Sequence, residues 1–319
     1  MGNRIFLGAI FFLWCLSGHA QRKSVFAMME DSIVHLHRSV ISERNSAVRY
    51  QQNEQLLYVL EETLGLNNSI SYPFDSVKTI AVLTSPDKKV RIFTWYLIDD
   101  KGVHEHYGFV QAYNAVTKRY MVYPLIDKWR KVDNPSVKIL ACDNWFGALY
   151  TKLIEVKGTA GTYYTLLGWN GGDVFSQYKI IDVLSFNYRG VPVFGSQVFR
   201  NYGKGRPVRI VFSYSKKGYM ALNYEKQSYM QRSATRSKKT KQYTMSRIPA
   251  EMIVFTRLIP MREGMQNAPQ YMVGESSLID AFLEQDGKWL FKPDVIAGNP
   301  DRPLPRREQK TRVYYTPVN

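Results

Sequence analysis

The sequence predicts a mainly β protein with N-terminal helices, arranged as an antiparallel meander that is either propeller-like or a large sandwich or barrel. Three observations lead to this fold class. Aromatic residues, which favour strands, make up 14% of the chain. Beyond Pro73, short runs of alternating apolar side chains are separated by turn-forming Gly, Asp and Asn residues. Before that point, apolar residues recur every three or four positions, which is the period of a helix.

Residues 1–20 have the pattern of a cleavable secretory signal peptide. Arg4 precedes an apolar run at residues 5–16, and Gly18 and Ala20 are the small residues that cleavage before Gln21 requires. The apolar run is shorter than the roughly 20 residues of a membrane-spanning helix. We therefore expect an exported protein that is periplasmic or associated with the outer envelope.

Residues 21–70 are predicted to form a helical N-terminal segment. Apolar residues have helical spacing at 25–40 and again at 56–64, with a polar stretch at 42–46 between them. This pattern is compatible with two helices or with one interrupted helix. Gly65 follows the last apolar position, where glycine commonly ends a helix.

Residues 71–298 are predicted to form an antiparallel β domain. The run at 90–98 has apolar or aromatic residues on both faces, so we expect it to be a central strand. Four turns lead into aromatic strands at uneven spacing, which favours a propeller-like arrangement without a fixed repeat period. Strands are predicted at residues 77–83, 90–98, 104–114, 119–126, 150–156, 162–169, 179–186, 193–199, 208–214, 219–224, 252–259, 278–284 and 288–291.

Two basic segments differ from this β pattern. Residues 226–250 contain no acidic residue and few apolar ones, so we predict a mobile loop there. The tail at 299–319 combines prolines with basic residues and is predicted to be extended. The loop is either a solvated insertion or an electrostatic arm that binds an anionic partner. The residues assigned to that binding are Arg232, Arg236, Lys238, Lys239, Lys241 and Arg247.

The net charge also predicts the class of partner. The chain carries a formal charge of +16, and a field of that sign attracts anionic surfaces. Because we expect export, nucleic acid is not an expected partner. This leaves an envelope protein or an anionic lipid or glycan, with peripheral membrane contact as one form of binding.

No catalytic or cofactor motif stands out, so we expect no cofactor and leave open whether the protein is an enzyme. Cys142 is the single cysteine outside the predicted signal peptide, which excludes a disulfide within the mature chain. His104 or His106 could act as a base for a Cys142 nucleophile. The apolar neighbours of Cys142 favour a packed, structural cysteine instead.

Two His-x-His pairs are weak candidates for metal binding. His104 and His106 lie on a predicted strand, where both rings project from one face and could share a metal. Glu105 would point away, so a third ligand must come from elsewhere, for example Asp99 or Asp100. The pair His35/His37 lies on a predicted helix, where a separation of two directs the rings apart.

Several segments resemble a family of exported proteins from Bacteroidetes. They are SPD at 85–87 followed by RIFTW at 91–95, TYYTLLGWNG at 162–171, and KIIDVL at 179–184. The resemblance covers most of the mature chain and implies a Gram-negative envelope location, without implying an activity. The sequence FTRL at 255–258 departs from the Asp-His-Leu typical of that family.

We therefore expect a non-enzymatic envelope protein that binds a protein or an anionic partner through a β scaffold. A hydrolase acting on an envelope glycan or lipid is the alternative. A metal-dependent enzyme built on His104 and His106 is a third hypothesis.

Overall fold

The computed structural model describes residues 24–159, 161–203, 205–236 and 243–295, without the side chains of 232–235. The predicted signal peptide at 1–20 and the predicted extended tail at 299–319 lie outside the described residues. The mainly β composition and the N-terminal helices that the sequence predicts are confirmed.

Two helices begin the described chain. Helix α1 spans Val25–Ser42 and helix α2 spans Ser46–Gly65. Each helix has a side-chain cap: the Ser24 hydroxyl accepts a hydrogen bond from the Ala27 amide, and the Asn45 side chain accepts one from the Val48 amide. Of the two helical alternatives, the pair of separate helices is therefore correct. No helix within the described residues combines the length and apolarity needed to cross a bilayer.

Every predicted strand overlaps an observed one, but the prediction 193–199 is divided between two short strands, and the strand at 140–141 has no predicted counterpart. The strands that overlap 219–224, 252–259 and 278–284 are longer than predicted. In chain order the observed strands are β1 (Ala81–Thr84), β2 (Val90–Ile98), β3 (His104–Asn114), β4 (Arg119–Ile126), β5 (Leu140–Ala141), β6 (Leu149–Gly158), β7 (Gly161–Asn170), β8 (Ser176–Phe186), β9 (Pro192–Phe194), β10 (Phe199–Arg200), β11 (Ile210–Ser215), β12 (Leu222–Arg236), β13 (Tyr243–Pro260), β14 (Met272–Gln285) and β15 (Lys288–Lys292).

These strands form three open sheets. The first is the antiparallel meander β1-β2-β3-β4, as the sequence predicts. The second has the order β5-β9-β8-β7-β6, with β11 pairing beside β9 along β8. The third has the order β10-β15-β14-β13-β12, in which the short β10 runs parallel to β15 and the other neighbours are antiparallel.

The sheets stack in layers, with the second sheet in the middle. In β7, Tyr164 and Leu166 pack against the first sheet, whereas Tyr163 and Leu167 pack against the third. The outer face of the first sheet is covered by α1 and α2, where Trp95 of β2 meets the apolar stripes of both helices. This linear stack corresponds to the sandwich alternative rather than to a radial propeller or a closed barrel.

The prediction of a mobile loop at 226–250 is wrong for the residues of this segment that the structure describes. Residues 226–236 belong to β12 and residues 243–250 to β13, and the two strands pair from Leu222/Phe255 to Arg236/Tyr243. The physical reason is that both segments continue core strands, so their backbone groups bond to each other without needing a wide apolar face. Residues 237–242 lie outside the described residues.

Candidate functional site

His104 and His106 project from the same face of β3, as predicted. Their rings are nearly parallel, with centroids 6.5 Å apart, and the two residues are only 5% and 1% exposed. Both face the second sheet. Glu105 points the other way and accepts a hydrogen bond of 3.0 Å from the Tyr107 hydroxyl.

Neither aspartate predicted as a third metal ligand joins this pair. A carboxylate oxygen of Asp99 accepts hydrogen bonds of 2.8 Å from the amides of Lys101 and Val103, which fixes its own turn. Asp100 lies at the surface, 3.7 Å from a nitrogen of Arg49. Within the described ranges, no group of three or more His, Cys, Asp or Glu side chains is arranged to hold a metal ion.

Asp127 is the residue that does contact the histidine pair, and the sequence reasoning missed it. Its Oδ2 lies 2.9 Å from His106 Nδ1 and also accepts the His106 amide, while Oδ1 accepts the Trp129 amide. The Trp129 indole N–H donates to the His104 carbonyl over 3.1 Å. These hydrogen bonds pair the backbone groups of β3 that extend beyond the end of β4.

The His106 ring is enclosed, whereas the Asp127 side chain is 11% exposed and lines a neighbouring cavity. The rings of Tyr96 and Trp145 each lie 6.4 Å from the His106 ring, and the His106 side chain has no exposed surface. Its Nε2 is buried without a hydrogen-bond partner in the described part of the chain, as is Nδ1 of His104. This arrangement fits a structural role, as a buried polar contact between the first and second sheets, better than a catalytic one.

The surroundings of His104 keep its ring neutral. Burial, together with a smaller contribution from the nearby ammonium of Lys216, lowers the pKa of His104 to about 4. Lys216 is itself held by a 2.6 Å hydrogen bond to the Gly171 carbonyl. Gly171 lies directly against the His104 ring, and a Cβ at that position would overlap the imidazole.

A cavity of about 500 Å³ lies beside the histidine pair, between α2 and the segment after β4. Lys128, Arg130 and Lys131 line one side, and Glu61 and Glu105 line another. Because charges of both signs surround it, this cavity favours neither an anionic nor a cationic ligand.

Cys142 is placed for packing. Its thiol lies 3.8 Å from the Pro192 carbonyl oxygen and packs against the core between the first and second sheets. Burial raises the pKa of Cys142 to about 12, with a further contribution from Asp143. An activated nucleophile needs the opposite shift, because the thiolate is the reactive species.

The basic residues predicted to bind an anionic partner lie on the β12–β13 hairpin. Arg236 is opposite Tyr243 in the register, with its guanidinium 5.3 Å from the ring centre. Arg247 is opposite Met230, and the backbone of Arg232 is opposite Met245. Lys238, Lys239 and Lys241 lie outside the described residues, as does the side chain of Arg232.

The outer part of this hairpin is a two-stranded ribbon. Strand β14 pairs with β13 only from Met252 onward, so residues 226–236 and 243–251 pair with each other alone among the described residues. At about 3.3 Å per residue, the ribbon is about 35 Å long. Met230 and Met245 share one face of the ribbon, and they are 46% and 54% exposed.

The chain matches no protein-family model, no curated protein and no solved structure. The resemblance to exported proteins of Bacteroidetes therefore stays a prediction.

Proposed function

We propose that this protein is an exported envelope protein that binds an anionic partner through the β12–β13 hairpin. The observation that carries this proposal is the ribbon itself. It extends beyond its sheet, and seven basic residues and no acidic residue lie between Glu225 and Glu251. The exported location follows from the pattern of residues 1–20 and stands as part of the proposal.

Strand pairing makes the described part of this basic segment a better binding element than a mobile loop. A loop loses conformational entropy when a partner orders it, whereas paired strands have already lost most of that freedom. Each Lys or Arg near an anionic lipid surface contributes about 1 kcal/mol. Several such residues on one arm therefore suffice for reversible, salt-sensitive binding.

The composition of the ribbon face also fits an envelope surface. Met230 and Arg247 are directly opposite each other, so apolar and cationic side chains are adjacent on the same face. Methionine side chains adapt to irregular apolar surfaces, which suits a partner that combines acyl and anionic groups. The partner class that this face fits best is an anionic lipid or lipid-linked glycan.

Charge reversal tests the proposal. The variant Lys238→Glu, Lys239→Glu and Lys241→Glu is expected to weaken binding to isolated cell envelopes at low salt, measured by co-sedimentation. A matched control reverses three exposed basic residues elsewhere, Lys78→Glu, Arg119→Glu and Lys157→Glu. Both variants should keep the melting temperature of the parent protein.

The control variant distinguishes the effect of charge on the hairpin from the effect of the net charge of the protein. Equal binding by the parent protein and the hairpin variant would contradict the proposal. Equal weakening in both variants would also contradict it, because net charge rather than the hairpin would then govern binding.

A further inference from the structure

A second cavity lies on the opposite edge of the first sheet from the His106–Asp127 pair, and nothing in the proposed function uses it. It has a volume of about 330 Å³ and lies between the ends of α1 and β2 and the start of α2. This volume falls within the range of about 300–1,000 Å³ typical of small-molecule sites. Its lining consists of His37, Val40, Ile41, Arg49, Thr79, Trp95, Tyr96, Leu97, Ile98 and Leu149.

The walls of this cavity are mostly apolar, with one permanent charge. Val40, Trp95 and Leu97 are almost completely buried, and Ile41 is 60% exposed at the side of α1. Arg49 supplies the only cationic guanidinium, and no acidic side chain is among the described residues that line the cavity. The electrostatics therefore favour a ligand that carries a negative charge and an apolar body.

Protein contacts hold Arg49 in place while its side chain stays 17% exposed. Its Nη2 donates to the Ile98 carbonyl over 2.9 Å and to the Ser46 hydroxyl over 3.2 Å, which positions the guanidinium. Its Nε is buried and has no hydrogen-bond partner in the described chain. Asp100 lies 3.7 Å away, but its carboxylate is 77% exposed, and such a surface pair contributes little.

His37 adds a neutral polar group to the same cavity. The residue is 3% exposed, and its Nδ1 lies 2.6 Å from the Thr79 hydroxyl oxygen. A neutral imidazole can accept or donate one hydrogen bond without introducing a second charge. Together, Arg49 and His37 give the cavity one cationic and one neutral polar partner within apolar walls.

We propose that this cavity binds a small amphipathic monocarboxylate, with the carboxylate on Arg49 and the apolar body against Val40, Trp95 and Leu97. The carboxylate would contact the accessible part of the Arg49 guanidinium, whose side chain is 17% exposed, in a charge-assisted hydrogen bond. The site is independent of the hairpin and does not depend on the proposed function.

The direct test compares two probes of equal chain length, octanoate and octan-1-ol, by isothermal titration calorimetry. The parent protein should bind octanoate at least about tenfold more tightly than octanol, which corresponds to 1.4 kcal/mol. Equal affinities for the two probes, or no octanoate binding at millimolar concentration, would overturn the proposal.

Three variants locate the binding. Arg49→Gln should remove the preference for octanoate, whereas Arg44→Gln, an exposed arginine in the turn between the helices, should preserve it. Ile41→Trp changes an exposed residue and fills the cavity from its mouth, so it should weaken binding of both probes while keeping the fold. A preference for octanoate that survives in Arg49→Gln would show that another cation holds the carboxylate and would refute the assignment.

Discussion

Acid should destabilise this protein over a pH range set by two buried histidines. His37 in α1 and His104 in β3 are 3% and 5% exposed, and burial lowers the pKa of each to about 4. In the unfolded chain both groups take up a proton near pH 6.5. Between these values the unfolded state binds more protons, so the free energy of unfolding must fall as the pH falls.

The size of this loss follows from the two pKa values. From pH 7 to pH 4.5, each histidine lowers the free energy of unfolding by about 2 kcal/mol, and the pair lowers it by about 4–5 kcal/mol. Domains are typically stable by about 5–15 kcal/mol, so this is a large fraction. Asp87, whose hydrogen bonds lower its pKa below the ordinary 3.8 despite the opposing effect of burial, loses its contribution only at lower pH.

Urea denaturation at a series of pH values measures the effect. The variant His37→Asn should lose about half as much stability as the parent protein between pH 7 and pH 4.5. The matched control His35→Asn, at an exposed position on the same helix, should follow the parent curve. A parent curve that is flat over this range, or a His37→Asn curve that coincides with it, would refute the reasoning.

Two substitutions test the packing between the sheets. Gly171→Ala places a methyl group against the His104 ring, which already lies between the rings of Tyr96 and Trp169 at centroid distances of 5.2 and 5.3 Å. In urea denaturation this variant should lose about 1–3 kcal/mol of the free energy of unfolding. The control Gly65→Ala, which has open space around the added methyl group, should lose none. Equal stabilities of these two variants would contradict the tight contact. Arg209 is fully buried, and its Nε lies 2.8 Å from the Asp182 carboxylate. Asp182→Asn removes this counter-charge and should lower the free energy of unfolding by about 3–5 kcal/mol. The control Asp133→Asn, at an exposed position, should lower it by almost nothing. A loss below 1 kcal/mol for Asp182→Asn would show that Arg209 does not depend on this ion pair.

The elements that were predictable from the sequence are those with strong local patterns. Strands β2, β3 and β4 begin and end at the predicted residues because turns bound them and both faces of β2 are apolar. The break between α1 and α2 falls in the predicted polar stretch, where Asn45 caps the second helix. The common direction of His104 and His106 also followed from the two-residue period of a strand.

Long-range pairing was beyond these local patterns. Asp127 contacts His106, which lies 21 positions earlier in the sequence, because the register of β3 with β4 brings the two residues together. The only sequence signal for Asp127 is its position directly after the predicted strand at 119–126. The low apolar content of residues 226–250 predicts disorder, because a segment with few apolar side chains cannot form a core of its own. The backbone pairing of β12 with β13 orders the described residues of this segment instead.

The proposed binding of an anionic envelope partner by the basic hairpin can be tested directly. The most direct measurement is a tagged purification from gently solubilised envelopes, with mass spectrometry of the proteins and lipids that accompany the parent chain and the variant Lys238→Glu, Lys239→Glu, Lys241→Glu. We predict a stoichiometric anionic partner with the parent chain and its loss from the variant. A parent protein that purifies alone, or a partner that stays bound to the variant in equal amount, would contradict the proposal.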